Sequence, residues 1–305
     1  MDRMPTTLAS LVLAGAMLAG FPWIRHPASA APAPAPATPA DPGNRVAVLD
    51  AASPAYRTLQ IPSSVKTDPD ASVRLVVFRQ GACILDRGLR DARHDSNGGA
   101  RGSLVVQESG TTERGAAAPD GREAIVATTR FVSRVDMTPG VTSTKNDTVQ
   151  SATTLTLIDP DHPEGRWQVT LEGGRWVKDM IVLPASSGVV LTTFLPRNGP
   201  DDLRILDAGG HEKIRVPETR AEILSVRTSC DAGCFVAAAV AFKDVSSLPE
   251  QGVMVFDVAR GTSWTYGWRY GGSDEPLSWD LGRGGVLTVT LPGGKRLFDA
   301  TGTPL

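Results

Sequence analysis

The sequence predicts an all-β domain assembled from repeated four-stranded units, and three observations carry that expectation. After residue 44 no stretch keeps its apolar residues at helical spacing. Short runs of β-branched and apolar residues recur there instead, bounded by Gly, Pro, Asp and Asn. Four of these runs end in an apolar residue followed by Asp, at Ile158-Asp159, Leu206-Asp207, Phe256-Asp257 and Phe298-Asp299; successive marks lie 48, 50 and 42 residues apart, room for four strands and their turns.

The chain of 305 residues opens on a different element. Residues 1–30 read as a secretory signal: Arg3 precedes an apolar run, and Ala28-Ser29-Ala30 offers a cleavage site before Ala31. The apolar segment 8–24 contains Pro22 and falls short of the roughly 20 residues that an uncleaved span needs. Residues 31–44 follow as a Pro/Ala-rich linker whose prolines hold the backbone extended and remove donors. The expected location is periplasmic or extracellular, with no membrane span after signal cleavage.

Residues 45–305 then form the folded part. Its strand candidates begin with 45–49, 74–78, 103–106, 123–128, 154–158 and 168–171. They continue with 180–183, 189–194, 203–206, 222–228 and 235–242, and end with 253–256, 264–270, 286–291 and 295–298. Cys230 and Cys234 bracket Asp231-Ala232-Gly233, too far apart along an extended strand for a disulfide. A bond between them requires a tight turn, which Gly233 permits between the runs on either side. Cys83, in an apolar setting, is expected buried and reduced. With no suitably spaced further ligand the cysteines make no zinc site, and neither metal nor cofactor is expected.

The near-regular Asp marks predict a β-propeller of about six four-stranded blades, with the chain ends meeting in one blade. A pair of β-sandwiches would explain the density of strands but not their spacing. The segments Asp159-Pro-Asp-His-Pro-Glu-Gly165-Arg-Trp167 and Asp257-Val-Ala-Arg-Gly261-Thr-Ser-Trp264 resemble the strand–turn–strand edge of WD-like and quinoprotein-like propeller repeats. In those repeats an Asp ends the third strand, a Gly makes the turn and a Trp enters the fourth. Asp207 and Asp299 depart from the pattern, being followed by Gly210 and Gly302 with no Trp. The resemblance covers about residues 150–305, and an architecture implies no activity.

Lys plus Arg number 31 against 33 Asp plus Glu, and no basic stripe appears, which argues against a nucleic-acid partner. His94, His162 and His211 remain after the signal, and none has a nucleophile beside it in sequence. There is no Gly-x-Ser-x-Gly, and Ser63-Ser-Val-Lys66 lacks the companion motifs that would give it meaning. Trp264, Tyr266, Trp268 and Tyr270 alternate along one strand, so they either offer a flat strip to a planar ligand or bury against the next blade; burial is preferred. On a propeller, the loops gathered around one face contain Arg175, Arg197, Asp202, Lys243, Asp244, Glu250 and Asp274. Those loop residues and Trp268 are the candidate ligand contacts. Two function classes follow. The preferred one is a non-catalytic recognition or scaffold module for a protein, peptide or glycan. The other is a glycan-cleaving hydrolase, which needs two carboxylates about 5–9.5 Å apart.

Overall fold

The computed structural model describes residues 43–90, 93–97, 105–136, 145–195, 201–217, 221–242, 250–269 and 271–305. It is all-β, in five sheets stacked in chain order. Sheet 1 holds β1 (Arg45–Asp50), β2 (Lys66–Thr67), β3 (Val73–Arg79) and β4 (Ala82–Leu89), in the order β1-β3-β4-β2 with α1 (Pro54–Arg57) between β1 and β2. Sheet 2 is a meander of β5 (Arg93–Asn97), β6 (Val105–Ala117), β7 (Ala124–Asp136), β8 (Lys145–Ile158) and β9 (Trp167–Leu171). Sheet 3 follows as β10 (Trp176–Leu183), β11 (Gly188–Phe194), β12 (Asp202–Leu206) and β13 (Glu212–Val216). Sheet 4 is β14 (Ala221–Ser229), β15 (Phe235–Phe242), β16 (Gln251–Asp257) and β17 (Thr262–Trp268). Sheet 5 is β18 (Ser278–Leu281), β19 (Leu287–Leu291) and β20 (Gly294–Phe298). Every strand pair is antiparallel except β2 with β4.

Middle strands are buried on both faces, which is why β3, β11 and β15 read as continuous apolar runs instead of alternating ones. One apolar layer fills each gap. Leu75 and Val77 meet Ala124 and Val126 between sheets 1 and 2. Leu155 and Leu157 meet Val189 and Leu191 in the next gap, and Val190 and Ile205 meet Val236 and Met254 in the third. Val253 and Val255 meet Leu287 and Val289 in the fourth.

Among the described residues five sheets form beside the about six expected, long β6, β7 and β8 and the 51–72 connection taking up chain that the regular spacing would give to another unit. One expectation is corrected. Among the described residues the first and last strands do not share a sheet, since β1 pairs with β3 and β20 with β19. Among the described residues no apolar cluster joins sheet 1 to sheet 5. Instead Tyr56, Leu59, Ile61 and Val65 of the 51–72 connection cover the far face of sheet 1 against Val76, Phe78 and Cys83. That connection is latched by a buried pair: Arg74 Nε lies 2.6 Å from Asp86 Oδ1, and the Tyr56 hydroxyl donates to Oδ2 at 2.8 Å. The remaining guanidinium donors reach the carbonyls of Thr67 and Asp68, both at 2.6 Å, so no buried charge is left unpaired.

The recurring Asp residues share one job. Asp207 Oδ1 accepts the backbone N–H groups of Gly209 and His211, both at 2.9 Å, and Asp299 Oδ1 those of Thr301 and Thr303 at 2.8 and 2.9 Å. Asp159 does the same for Asp161 and His162, and Asp257 for Arg260. Each carboxylate thereby closes the turn that follows β8, β12, β16 or β20. The turns of sheets 2, 3 and 5 also present the carbonyl after the Asp to the sheet before. Arg79 Nε donates to Pro160 O at 2.8 Å, while Trp167 Nε1 donates to Ala208 O and Trp264 Nε1 to Ala300 O, each at 3.0 Å. The two kinds of unit in the sequence are therefore halves of one contact: a Trp on one sheet, an Asp-Ala-x-Gly turn on the next. Gly210 and Gly302, at φ +84° and +85°, are needed because a Cβ there would come within 3.0 and 2.8 Å of the indole.

Candidate functional site

The sequence-predicted residues fall in three places. Arg175 and Asp202 are brought together, but in the gap between sheets 2 and 3. Asp202 has no exposed surface; it accepts from the Thr193 hydroxyl and lies 3.3 Å from Arg175 and 3.2 Å from both Arg204 and Arg215. Trp268 is buried between sheets 4 and 5, with Trp264 and Tyr266 packed against the same cluster. Tyr266 lies 6.0 Å from Trp268, centroid to centroid, and donates its hydroxyl to the carbonyl of Asp274 at 3.3 Å. Arg197, Lys243, Asp244 and Tyr270 lie outside the described residues. Cys230 and Cys234 form the expected disulfide across the β14–β15 turn, Cα to Cα 4.1 Å, and Cys83 is a buried thiol. Burial pushes the Cys83 thiol above its ordinary range, with Asp86 adding to the effect.

A groove that these residues do not mark runs where β6 neighbours β10 and β14 neighbours β18. Between β6 and β10 opens a cleft of about 310 Å³, walled by Val73, Leu89, Glu113, Arg114, Lys178 and Asp179. Arg114 crosses it to donate to the carbonyl of Lys178 at 2.8 Å. Farther along, Arg227 pairs with Asp280 at 2.7 Å, donates to the carbonyl of Trp279, and stacks over that indole at 4.6 Å. Lys178 reaches Asp201 at 2.5 Å and Arg87 reaches Glu113 at 3.3 Å, so most charges of the groove are already paired. Two aliphatic side chains stand exposed among them, Val73 at 37% and Leu224 at 54%.

Two β-bulges shape this groove. The register of β10 slips at Lys178, between Val177 and Asp179, and that of β14 slips at Leu224, between Ile223 and Ser225. A bulge turns two consecutive side chains the same way and bends the strand edge. That accounts for the adjacent polar pair Lys178-Asp179 in an otherwise apolar strand, and for an exposed Leu in β14. Those breaks in alternation are the signal by which sequence reasoning could have found the groove.

Carboxylates with shifted titration lie elsewhere. Burial pushes Glu123 up, against the pull of its hydrogen bond from Ser186 and of Arg166 2.8 Å away. For Asp207, burial acts upward too, but the N–H groups of His211 and Gly209 together with Lys213 outweigh it and the net shift is downward. Asp299 is held low by Thr301 and Thr303.

No family model and no curated protein matches the chain. Among solved structures it is similar to the Kuenenia stuttgartiensis hydrazine synthase, at 14% identity over 75% of this chain and 70% of that one, with a TM-score of 0.33. It is also similar to the Synechocystis apocarotenoid oxygenase, at 11% identity over 75% and 62% of the two chains, with a TM-score of 0.24.

Proposed function

We propose that the chain is an exported, non-catalytic recognition module in which propeller-like blades form a groove for an extended peptide segment of a partner protein. The observation that carries this reading is the pair of exposed aliphatic side chains, Val73 at the start of β3 and Leu224 on β14, set among ion pairs beside two neighbouring clefts that both reach Lys178 and Asp179 of β10. Such a surface suits a chain with alternating apolar and polar side chains. A glycan is the weaker choice, because Trp264, Tyr266 and Trp268 lie in the packing between sheets, away from a sugar ring. Export accords with the disulfide and with the absence, among the described residues, of a helix long and apolar enough to cross a membrane. The hydrolase reading loses one of its candidate carboxylates. Asp202 is shut away from any substrate behind three guanidiniums, where a general acid must reach the scissile bond.

A peptide library displayed on phage, selected on the wild-type protein and screened against Val73→Asp/Leu224→Asp, tests the reading. Selected peptides should lose binding to the double variant and keep it for Leu297→Asp, placed on the far face of sheet 5. Equal binding to all three proteins, or turnover of any glycan, would overturn it.

A further inference from the structure

The groove contains a second, smaller cleft that differs in character from the rest of it. Between β10 and β14 a space of about 80 Å³ is lined by the apolar side chains of Ile181, Val190 and Ile223 and by the polar ones of Asp179, Asp201, Thr192 and Ser225. Asp179 pairs with Thr192 across β10 and β11, and Asp201 immediately precedes β12, so two carboxylates flank one hydroxyl on the sheet face turned toward sheet 4. Thr192 is 7% exposed, and its Oγ1 has no hydrogen-bond partner. A buried hydroxyl left unsatisfied costs free energy, and a ligand that donates to it removes the cost. Asp179 makes no salt bridge among the described residues, whereas Asp201 is held by the Lys178 ammonium at 2.5 Å.

The chemistry of this lining is specific. Its polar side chains are two carboxylates and two hydroxyls, the Lys178 ammonium already sits on one of the carboxylates, and the rest of the lining is largely aliphatic. A volume of about 80 Å³ admits an ammonium with a short aliphatic stem. We propose that this cleft is a binding site for a primary ammonium group, in which Asp179 and Asp201 take the charge, Thr192 Oγ1 accepts one N–H, and Lys178 is an intramolecular competitor that an arriving ammonium displaces. The proposal rests on the recognition reading only for its biological ligand, since an ammonium on a peptide comes from a lysine side chain or from a free N-terminus.

The test uses n-propylammonium chloride as probe and the methyl resonances of Thr192, Ile181 and Ile223 as readout. Wild-type protein should show saturable shifts confined to these methyls. Asp179→Asn should weaken the probe about five-fold, the scale of one partly exposed ion pair, and Lys178→Met should tighten it by a similar factor. Opposite signs for two neighbouring groove substitutions are not expected of a merely structural role. Shifts reproduced by n-propanol, by sodium chloride at the same ionic strength, or more strongly by calcium chloride would overturn the proposal, as would a Lys178→Met protein that binds no tighter. Nα-acetyl-lysine amide and alanine amide, compared at equal concentration, distinguish a side-chain from a terminal ammonium. Selected peptides that bind the groove without lysine or a free amine would sink the ammonium site and leave the recognition reading standing.

Discussion

Replacing Gly302 with Ala tests the contact that locks sheet 4 to sheet 5. Gly302 sits at φ +85°, and a Cβ there would lie 2.8 Å from Trp264 Cδ2. Two costs add: left-handed backbone on a residue with a side chain, about 1–2 kcal/mol, and displacement of a packed indole, about 1–3 kcal/mol. Gly261→Ala supplies the control, because Gly261 shares the positive φ at +64° and nothing stands within 4 Å of its Cβ position. It should carry the first cost alone. Trp264→Ala removes the ring and its bond to Ala300 O, for about 3 kcal/mol, the low end for an aromatic deletion because the ring is only part-buried. In the Trp264→Ala/Gly302→Ala protein the collision vanishes while the backbone cost stays, so the double variant should be about 1–3 kcal/mol more stable than the sum of the singles predicts. Urea unfolding followed by far-ultraviolet circular dichroism reads all four proteins. A Gly302→Ala protein no less stable than Gly261→Ala, or singles that add to within about 0.5 kcal/mol, would refute the lock.

Arg74→Met leaves the Asp86 carboxylate buried without its cation and should cost about 3–5 kcal/mol. Arg227→Met, which breaks the exposed pair with Asp280, should stay within about 1 kcal/mol in the same urea titration. Reducing the Cys230–Cys234 bond should lower the unfolding free energy by less than the roughly 3 kcal/mol expected of a 15-residue loop, since this loop is far shorter; a larger loss would mean that the bond does more than close its turn. Titration of the unfolding midpoint separates two carboxylates of opposite sign. Glu123 has a folded pKa above its ordinary 4.5, so the folded state holds the proton more firmly, and stability from this group rises as pH falls through that raised value toward 4.5; Glu123→Gln should remove the rise. Asp207 is shifted below 3.8, so its contribution is present above that pH and lost as pH falls through the lowered value; Asp207→Asn should remove that acid-limb loss.

The β class and the Asp-closed turns after β8, β12, β16 and β20 are legible in the sequence because they rest on local chemistry. An Asp that accepts its own turn's N–H groups leaves the same mark wherever it recurs, at Asp159, Asp207, Asp257 and Asp299. Asp86 wears the same mark after Leu85 but lies inside β4, where its carboxylate answers a buried Arg74, and only the partner's position tells the two apart. The number of sheets depends on how far β6, β7 and β8 run past the usual length, and polar residues on long strands give no local sign of where pairing stops. The connection that caps sheet 1 reads as turns because its apolar residues, Tyr56, Leu59, Ile61 and Val65, are spaced to fit a surface and follow no period. Among site candidates, a loop carboxylate such as Asp202 looked available because sequence does not show three arginines from three separate stretches converging on it.

Interfaces between sheets are not equivalent, and the difference bears on the proposed ammonium cleft. Sheets 1 and 2, 2 and 3, and 4 and 5 are each joined by a side-chain donor to the carbonyl that follows the turn Asp, from Arg79, Trp167 and Trp264. Sheets 3 and 4 have no such bond among the described residues. Val258, which follows Asp257, instead packs with Cys230 and Cys234 into the apolar layer, and its N–H bonds the carbonyl of Cys234. The disulfide thus stiffens one end of the gap that lacks a directed lock, while the other end holds the cleft between β10 and β14. Apolar contacts are non-directional and tolerate small shifts that a hydrogen bond to a fixed carbonyl resists. A stack built this way yields most readily between sheets 3 and 4 at the end away from the disulfide, where Asp179, Thr192 and Asp201 face Ser225 across the opening.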